Sequence, residues 1–343
     1  MASSAVGGRP RGGALPARRF LAPSSRGGAL ALFVARRVLW LVPILFFVTL
    51  ITFSLMHLAP GSPWDKAGGR QLSPAVIQNL NIRYGLNRPL WEQFVLYMWN
   101  VVHFDFGLSY QYEGRTVNSL LLGSWSYTAT LGVLAFLVIV PVGISLGVLA
   151  ALRQNTRIDY AAMTFSTFGA SVPNFVFGMI LIIVFGVLMA QWTDGNYFLP
   201  PSGFGLDQHL IMPVLTLALL PTAFIARLTR ASTLDILRQD YVRTAWAKGL
   251  TERLVVVKHI LKNSLIPVVT TLGPTFAFLV TGSVIVETVF SIPGIGRAFV
   301  TAVTSRDYPM ILGTTVLFSV VIALANLVVD VAYVFIDPRV RLT

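Results

Sequence analysis

Six separate stretches of this chain are each apolar for about the length of a bilayer crossing, and that excludes most folds at once. A helix rises roughly 1.5 Å per residue, so a hydrocarbon layer about 30 Å thick calls for about 20 apolar residues. The stretches are Val38–Leu58, Tyr127–Leu152, Ser166–Ala190, His209–Ala226, Ile266–Thr288 and Pro309–Ile336. Backbone polar groups in lipid must be bonded within the protein, so runs of this length read as helices. Pro43, Pro141, Pro173 and Pro213 fall inside them, as membrane helices tolerate when neighbours satisfy the freed carbonyls. Only 12% of residues are charged, against about a quarter in soluble domains. The fold class is all-α, a polytopic membrane protein with six transmembrane helices.

The net charge of +12 could suggest a nucleic-acid partner, but its placement along the chain says otherwise. With the N-terminus inside, 19 of the 26 Lys and Arg residues fall on the inner side. They lie in the N-terminal segment up to Arg37, after the second stretch (Arg153, Arg157), between the fourth and fifth, and at Arg339 and Arg341. Basic residues gather on the cytoplasmic side of membrane proteins, so both termini are expected there. The partner this charge implies is the lipid bilayer, with no nucleic acid.

Residues 1–35 form a basic tail rich in Gly, Ala, Pro, Ser and Arg, expected to be disordered and cytoplasmic. A signal peptide is the alternative, but Val38–Leu58 is too long for its apolar core. The body of the chain is 36–343, with an extracytoplasmic segment at 59–126. In that segment Ser73-Pro74 has the form of a helix start, Gly85 can close that helix, and Pro89 opens another. The second carries Trp91, Phe94, Tyr97, Met98 and Trp99, expected at the membrane interface.

One polar stretch interrupts the apolar second half, DYVRTAWAKGLTERLVVVKHILKNSLIP, residues 240–267. It reads as two short helices joined at a glycine, within a loop spanning 229–265. Asp240 can cap the first helix, and Gly249 can end it in the left-handed conformation. Thr251 can cap the second, with Glu252 in its first turn. Leu254, Val257, Leu261 and Leu265 then share one face, with Lys258 and Lys262 off it.

DYVRTAWAKGL resembles the cytoplasmic loop of ABC-importer permeases, in the version carried by dipeptide and oligopeptide permeases. The general pattern has Glu-Ala-Ala six residues before the glycine; here those positions are Arg243, Thr244 and Ala245. His259 and Lys262 stand where the general pattern has Ile and Pro. The peptide branch resembles this chain at each departure. RVLWLVPILFFVTLITFSLMHLAPGSP, LNRPLWEQFVLYMWNVVHFDFGLSY, ETVFSIPGIGRAFV and NLVVDVAYVFIDPRVR are also similar to that family, so the resemblance covers nearly everything after residue 35. It implies a type I importer fold, a second homologous permease, two ATP-binding subunits and an extracytoplasmic substrate-binding protein. ATP and Mg would belong to the ATPase subunits, with no cofactor on this chain. Coupling to the ATPases would rest on Asp240, Tyr241, Val242, Arg243, Ala245, Trp246, Lys248, Gly249 and Leu250. The pairs Tyr241–Ala245 and Val242–Trp246 would enter a cleft on the partner, with Arg243 and Lys248 at its rim.

No phosphate-binding GxxxxGK[ST], HExxH or EF-hand loop occurs, and cysteine is absent. Pro293, Gly294 and Gly296 are expected to break any helix after the fifth stretch. Asp330 reads as the one ionisable residue clearly inside a span, with Asn326 as its nearest polar neighbour on the same face. It is either a point on a substrate or proton path or a fixture bonded to another helix. The expected function is passage of dipeptides or oligopeptides into the cytoplasm by alternating access, driven by ATP hydrolysis elsewhere. The alternatives are the same assembly carrying nickel chelates or oligosaccharides, or a self-contained secondary carrier or channel.

Overall fold

A computed structural model describes residues 26–64 and 72–336. Residues 1–25 of the basic tail, and Arg339 and Arg341, lie outside the described residues. The rest of the tail is helical, because α1 (Arg26–Leu58) starts well before the boundary drawn at residue 36. Two helices follow outside the apolar runs, α2 (Pro74–Arg83) and α3 (Leu90–Val102). Ser73 is extended ahead of Pro74, as the sequence suggests. The α2 helix closes through Gly85, whose N–H donates to the Ile82 carbonyl while that of Leu86 donates to Asn81.

Next come α4 (Val117–Leu152) and α5 (Arg157–Ser171). The third apolar run continues as α6 (Asn174–Leu181), a π-helical segment (Ile182–Leu188) and α7 (Met189–Trp192). This corrects the expected single helix Ser166–Ala190. Val172 is extended, with φ −84° and ψ 122°, because the ring of Pro173 disfavours helical geometry in the residue before it. The crossing therefore starts at Asn174.

The fourth run is longer than read: α8 (Ile211–Leu237) continues past Ala226 and carries Arg227 and Arg230 in its last turns. Two short helices, α9 (Asp240–Ala247) and α10 (Glu252–Leu254), follow it; a π-helical segment (Val255–Leu261) and α11 (Lys262–Ser264) come next. The fifth run comprises α12 (Ile266–Thr281) and α13 (Val284–Val289). Pro293 and Gly294 separate α13 from α14 (Ile295–Ser305), but Gly296 lies inside the first turn of α14 rather than breaking it. The sixth run is α15 (Tyr308–Ile336). Six helical stretches among the described residues are long and apolar enough to cross a membrane.

The centre of the bundle is the pair α4 and α8, with α12 joining α4 to α15, and α1 laid on the outside of α15. Small residues allow this closeness. A Cβ on Gly147 would sit 2.5 Å from the Ala226 carbonyl oxygen, and one on Gly132 would sit 2.6 Å from that of Leu279. Without a hydrophobic drive between helices in lipid, such backbone approach supplies much of the packing energy. Leu131, Ile139, Ile225, Leu279 and Phe290 fill the core around it. On α1, Leu39, Val42, Phe47, Ile51 and Leu55 are exposed, an apolar face that needs lipid or another chain against it.

Candidate functional site: a glycine elbow at the end of the central helix

The elbow starts where α8 ends. Gln239 donates its N–H back to the Ile236 carbonyl and is itself extended, so it takes the cap position of α9 without any side-chain bond. Asp240, expected as that cap, is instead the first helical residue. Only two residues, Arg238 and Gln239, separate the two helices, and Gln239 takes the extended position before the second. In the first turn the Asp240 carboxylate still faces the positive end of the helix dipole, 3.8 Å from Arg243.

The far end of α9 matches expectation. Gly249 has φ +76°, its N–H donates to the Trp246 carbonyl at 2.9 Å, and Leu250 N–H donates to Ala245 at 3.4 Å. This is the paired closure of a Schellman motif, whose left-handed residue is usually glycine. Leu250 packs against Val242, Ala245, Val255 and Ile260, the apolar contact that accompanies the motif. Thr251 is extended ahead of α10 as read, but its side chain makes no capping bond.

The second arm differs from the sequence reading. Residues 255–261 are π-helical, so each turn holds one residue more than an α-turn, and the buried positions are Val255 and Ile260, five apart. Ser264 and Val268 then continue at four-residue spacing. Leu254 and Val257, expected on the apolar face, are exposed. Lys258 and Lys262 are exposed as expected.

These two arms enclose a small core of their own, and Val242 and Ala245 lie inside it with Ile236 and Leu237 of α8. Neither is available to a partner's cleft. Their role is to fix α9 to the end of α8. The face that remains outward carries Tyr241, Arg243, Trp246 and Lys248, with Tyr241 42% and Trp246 41% exposed. The Tyr241 hydroxyl oxygen accepts from Asn263 Nδ2 at 2.9 Å, a second tie between the arms. A displacement of this outward face would therefore move α8, the most buried of the six crossings.

Other polar anchors were not evident in the sequence. Asp159, at the start of α5, is buried and accepts both from Arg230 of α8 and from Asn155 N–H. Glu287 is fully buried between α13 and α14, so Asp330 is not the only acid inside a crossing. Its carboxylate accepts from the Thr128 hydroxyl at 2.8 Å and from Arg297 N–H at 2.8 Å. Thr128 in turn accepts from Ile295 N–H at 2.9 Å, so the pair caps the start of α14 from below. Asp330 faces α1, where its carboxylate lies 2.8 Å from Arg37, whose guanidinium also rests over the Phe33 ring. Its charged partner is thus on another helix, while Asn326 is half-buried one turn away on its own.

The model of the family described as binding-protein-dependent transport system inner membrane component matches residues 143–342, and the model of its N-terminal part matches residues 30–146. The oligopeptide transport system permease protein OppB of Salmonella typhimurium is 42% identical over 309 residues, covering 90% of this chain and 99% of that protein. The dipeptide transport system permease protein DppB of Bacillus subtilis is 40% identical over 313 residues, covering 91% and 99%. A chain of the MetNI methionine ABC transporter, solved in inward facing conformations, aligns over 64% of this chain and 96% of its own with 20% identity and a TM-score of 0.48.

Proposed function

The chain belongs to the binding-protein-dependent transport system inner membrane component family, and from that premise we propose that it is the permease subunit of an ATP-driven importer of short peptides. It pairs with a second, similar permease. Two ATP-binding subunits sit on the elbow face, and an extracytoplasmic binding protein delivers the cargo. Both termini and the elbow are cytoplasmic, in keeping with the placement of basic residues. ATP and Mg reside on the ATPase subunits, and hydrolysis takes place there.

The observation that carries this reading is the division of α9 into two faces. Val242 and Ala245 lock it to α8, while Tyr241, Arg243, Trp246 and Lys248 are exposed on its outward face. Such an element can transmit a push. Closure of the ATPases moves α9, α9 carries the end of α8, and the bundle switches the side to which its passage opens. The difference in affinity between the two states is supplied by ATP binding on other chains. Peptide cargo is favoured by the names of the relatives, which cover the chain almost end to end.

Purification from native membranes with crosslinkers at Tyr241 and Trp246 tests the assignment. The expected result is adducts with a soluble ATPase, and peptide uptake by liposomes only when ATPases and binding protein are present. Uptake by this chain alone would make it a self-contained carrier. Nickel chelates or oligosaccharides in the captured binding protein would change the cargo and leave the assembly standing.

A further inference from the structure

A cavity of about 420 Å³ lies between the end of α1, the α2–α3 hairpin and the start of α15. Its size falls in the range of small-ligand pockets, roughly 300–1,000 Å³. Phe53, Tyr84, Phe106, Tyr110 and Tyr308 give it aromatic walls. Trp64, itself buried, packs at a tilt against Tyr84 and Tyr110, with ring centres 5.5 and 5.3 Å away.

Two polar atoms of wall residues are buried and unbonded, His57 Nε2 and the Tyr97 hydroxyl oxygen. Their chemistry is fixed by their surroundings. His57 Nδ1 lies 2.8 Å from the Phe53 carbonyl oxygen, which can only accept, so the ring proton of a neutral imidazole sits on Nδ1. Nε2 is then a lone pair awaiting a donor. Burial pushes the Tyr97 phenol far above its ordinary value, so it keeps its proton and offers an O–H. A buried polar atom without a partner has lost its hydration with nothing in return, a cost that a ligand can recover.

The cavity also has a sign. Among the described residues no aspartate or glutamate lines it, whereas Arg83 and Arg88 do. Arg88 is engaged by Glu92 at 3.0 Å. Arg83 is exposed, leans over the Tyr84 ring at 5.8 Å and pairs with no carboxylate among the described residues.

We propose that this cavity is a binding site for the C-terminal residue of a short peptide. The peptide carboxylate pairs with Arg83, its last amide N–H donates to His57 Nε2, a carbonyl oxygen accepts from the Tyr97 hydroxyl, and the side chain lies against the aromatic walls. The site deepens the peptide reading given above and depends on it for its physiological meaning. It would receive cargo on the binding-protein side, before the bundle opens.

The full chain in lipid nanodiscs is titrated with Ala-Ala-Phe as free acid and as C-terminal amide, by calorimetry. The expected result is saturable binding of the acid, weakened at least about tenfold by amidation and by Arg83→Ala, and several-fold by Tyr97→Phe. Octanoate offers a carboxylate and an apolar body without the peptide N–H, and is expected to bind at least about tenfold more weakly than the acid. Arg83→Ala should leave the melting temperature unchanged, since the side chain is exposed and pairs with no carboxylate among the described residues. Equal binding of acid and amide, equal binding of octanoate, or no saturable binding at millimolar peptide overturns the site. If the assembled transporter still imports peptides in that case, the cavity assignment falls while the proposed function stands. Binding here without ATP-driven uptake gives the reverse result.

Discussion

Arg230 grips Asp159 through two parallel bonds, Nε to Oδ1 at 2.6 Å and Nη2 to Oδ2 at 2.7 Å. The pair joins the central helix α8 to the start of α5, and α8 runs on from it into the elbow. Hydrogen bonding from Arg230, its largest cause, holds the Asp159 carboxyl below the ordinary carboxylate range. Bidentate geometry of this kind fixes orientation as well as distance. The elbow thus moves against a bundle in which α8 has two anchored partners, α4 by close packing and α5 by charge.

Replacing Asp159 with Ala leaves the Arg230 guanidinium three-quarters buried without its partner. The expected loss is about 3 kcal/mol, the lower end for a broken buried pair because Arg230 retains some contact with solvent. Chemical unfolding in detergent measures it. A depressed folded-state pKa contributes stability that is present above the unfolded value of about 3.9 and lost as pH falls through the folded value. The gap between parent and variant should therefore be full at neutral pH and narrow below about pH 4. A gap constant across the acid range would show that the pair's charge is not what stabilises it.

Gly249→Val should disconnect ATP hydrolysis from uptake in the assembled transporter. Nothing lies within 4 Å of a Cβ added there, so the cost is in the backbone alone. A β-branched residue at φ +76° is strained by about 1–3 kcal/mol, enough to open the turn. Asn tolerates this conformation, so Gly249→Asn should retain coupling. The readout is ATP hydrolysed per peptide imported. Normal coupling in the valine variant would remove the elbow from the transmission route.

Gly147 is demanding for the opposite reason, space rather than conformation. A side chain there meets the Ala226 carbonyl and Thr229 Cβ, both at 2.5 Å, so Gly147→Leu must part α4 from α8. A loss of at least about 1–3 kcal/mol and a lower melting temperature are expected. Gly123→Leu on the same helix has nothing within 4 Å and should melt like the parent. Equal behaviour of the two variants would contradict the packing described.

Glu287 and Asp330 should separate in their response to substitution. Glu287→Ala strands the buried Thr128 hydroxyl, at about 1–3 kcal/mol, and takes the acceptor from the part-buried Arg297 N–H. Asp330→Asn loosens an ion pair whose side chains are 33% and 51% exposed, and uptake at equal expression should be unchanged. A fall in uptake with normal expression and stability would place Asp330 on the transport path.

Sequence was informative wherever a feature depends on neighbours a few residues away. The Gly249 turn, the Gly85 turn and the Pro74 helix start are all of that kind, because capping bonds span no more than one turn. The six crossings were legible too, since partition into lipid depends on the mean polarity of about 20 residues and hardly on their order. That same averaging hid Glu287. One carboxylate does not disturb the mean of its run, and its partners are a threonine 159 residues away and an N–H in the first turn of α14.

Sequence by itself determined that this chain crosses a membrane six times and bends at a glycine beside the fourth crossing. Tertiary structure decided which side of the bend faces outward. The π-helical turn at Val255–Leu261 rotates the second arm so that Val255 and Ile260 close on Val242 and Ala245. Helical periodicity read along the chain assumes one fixed pitch, and a single wide turn invalidates the pattern on both sides of it. Contacts across the bundle, such as Arg230 with Asp159 or Arg37 with Asp330, depend on which faces meet. That is settled by packing volume and close backbone approach, quantities no local window contains.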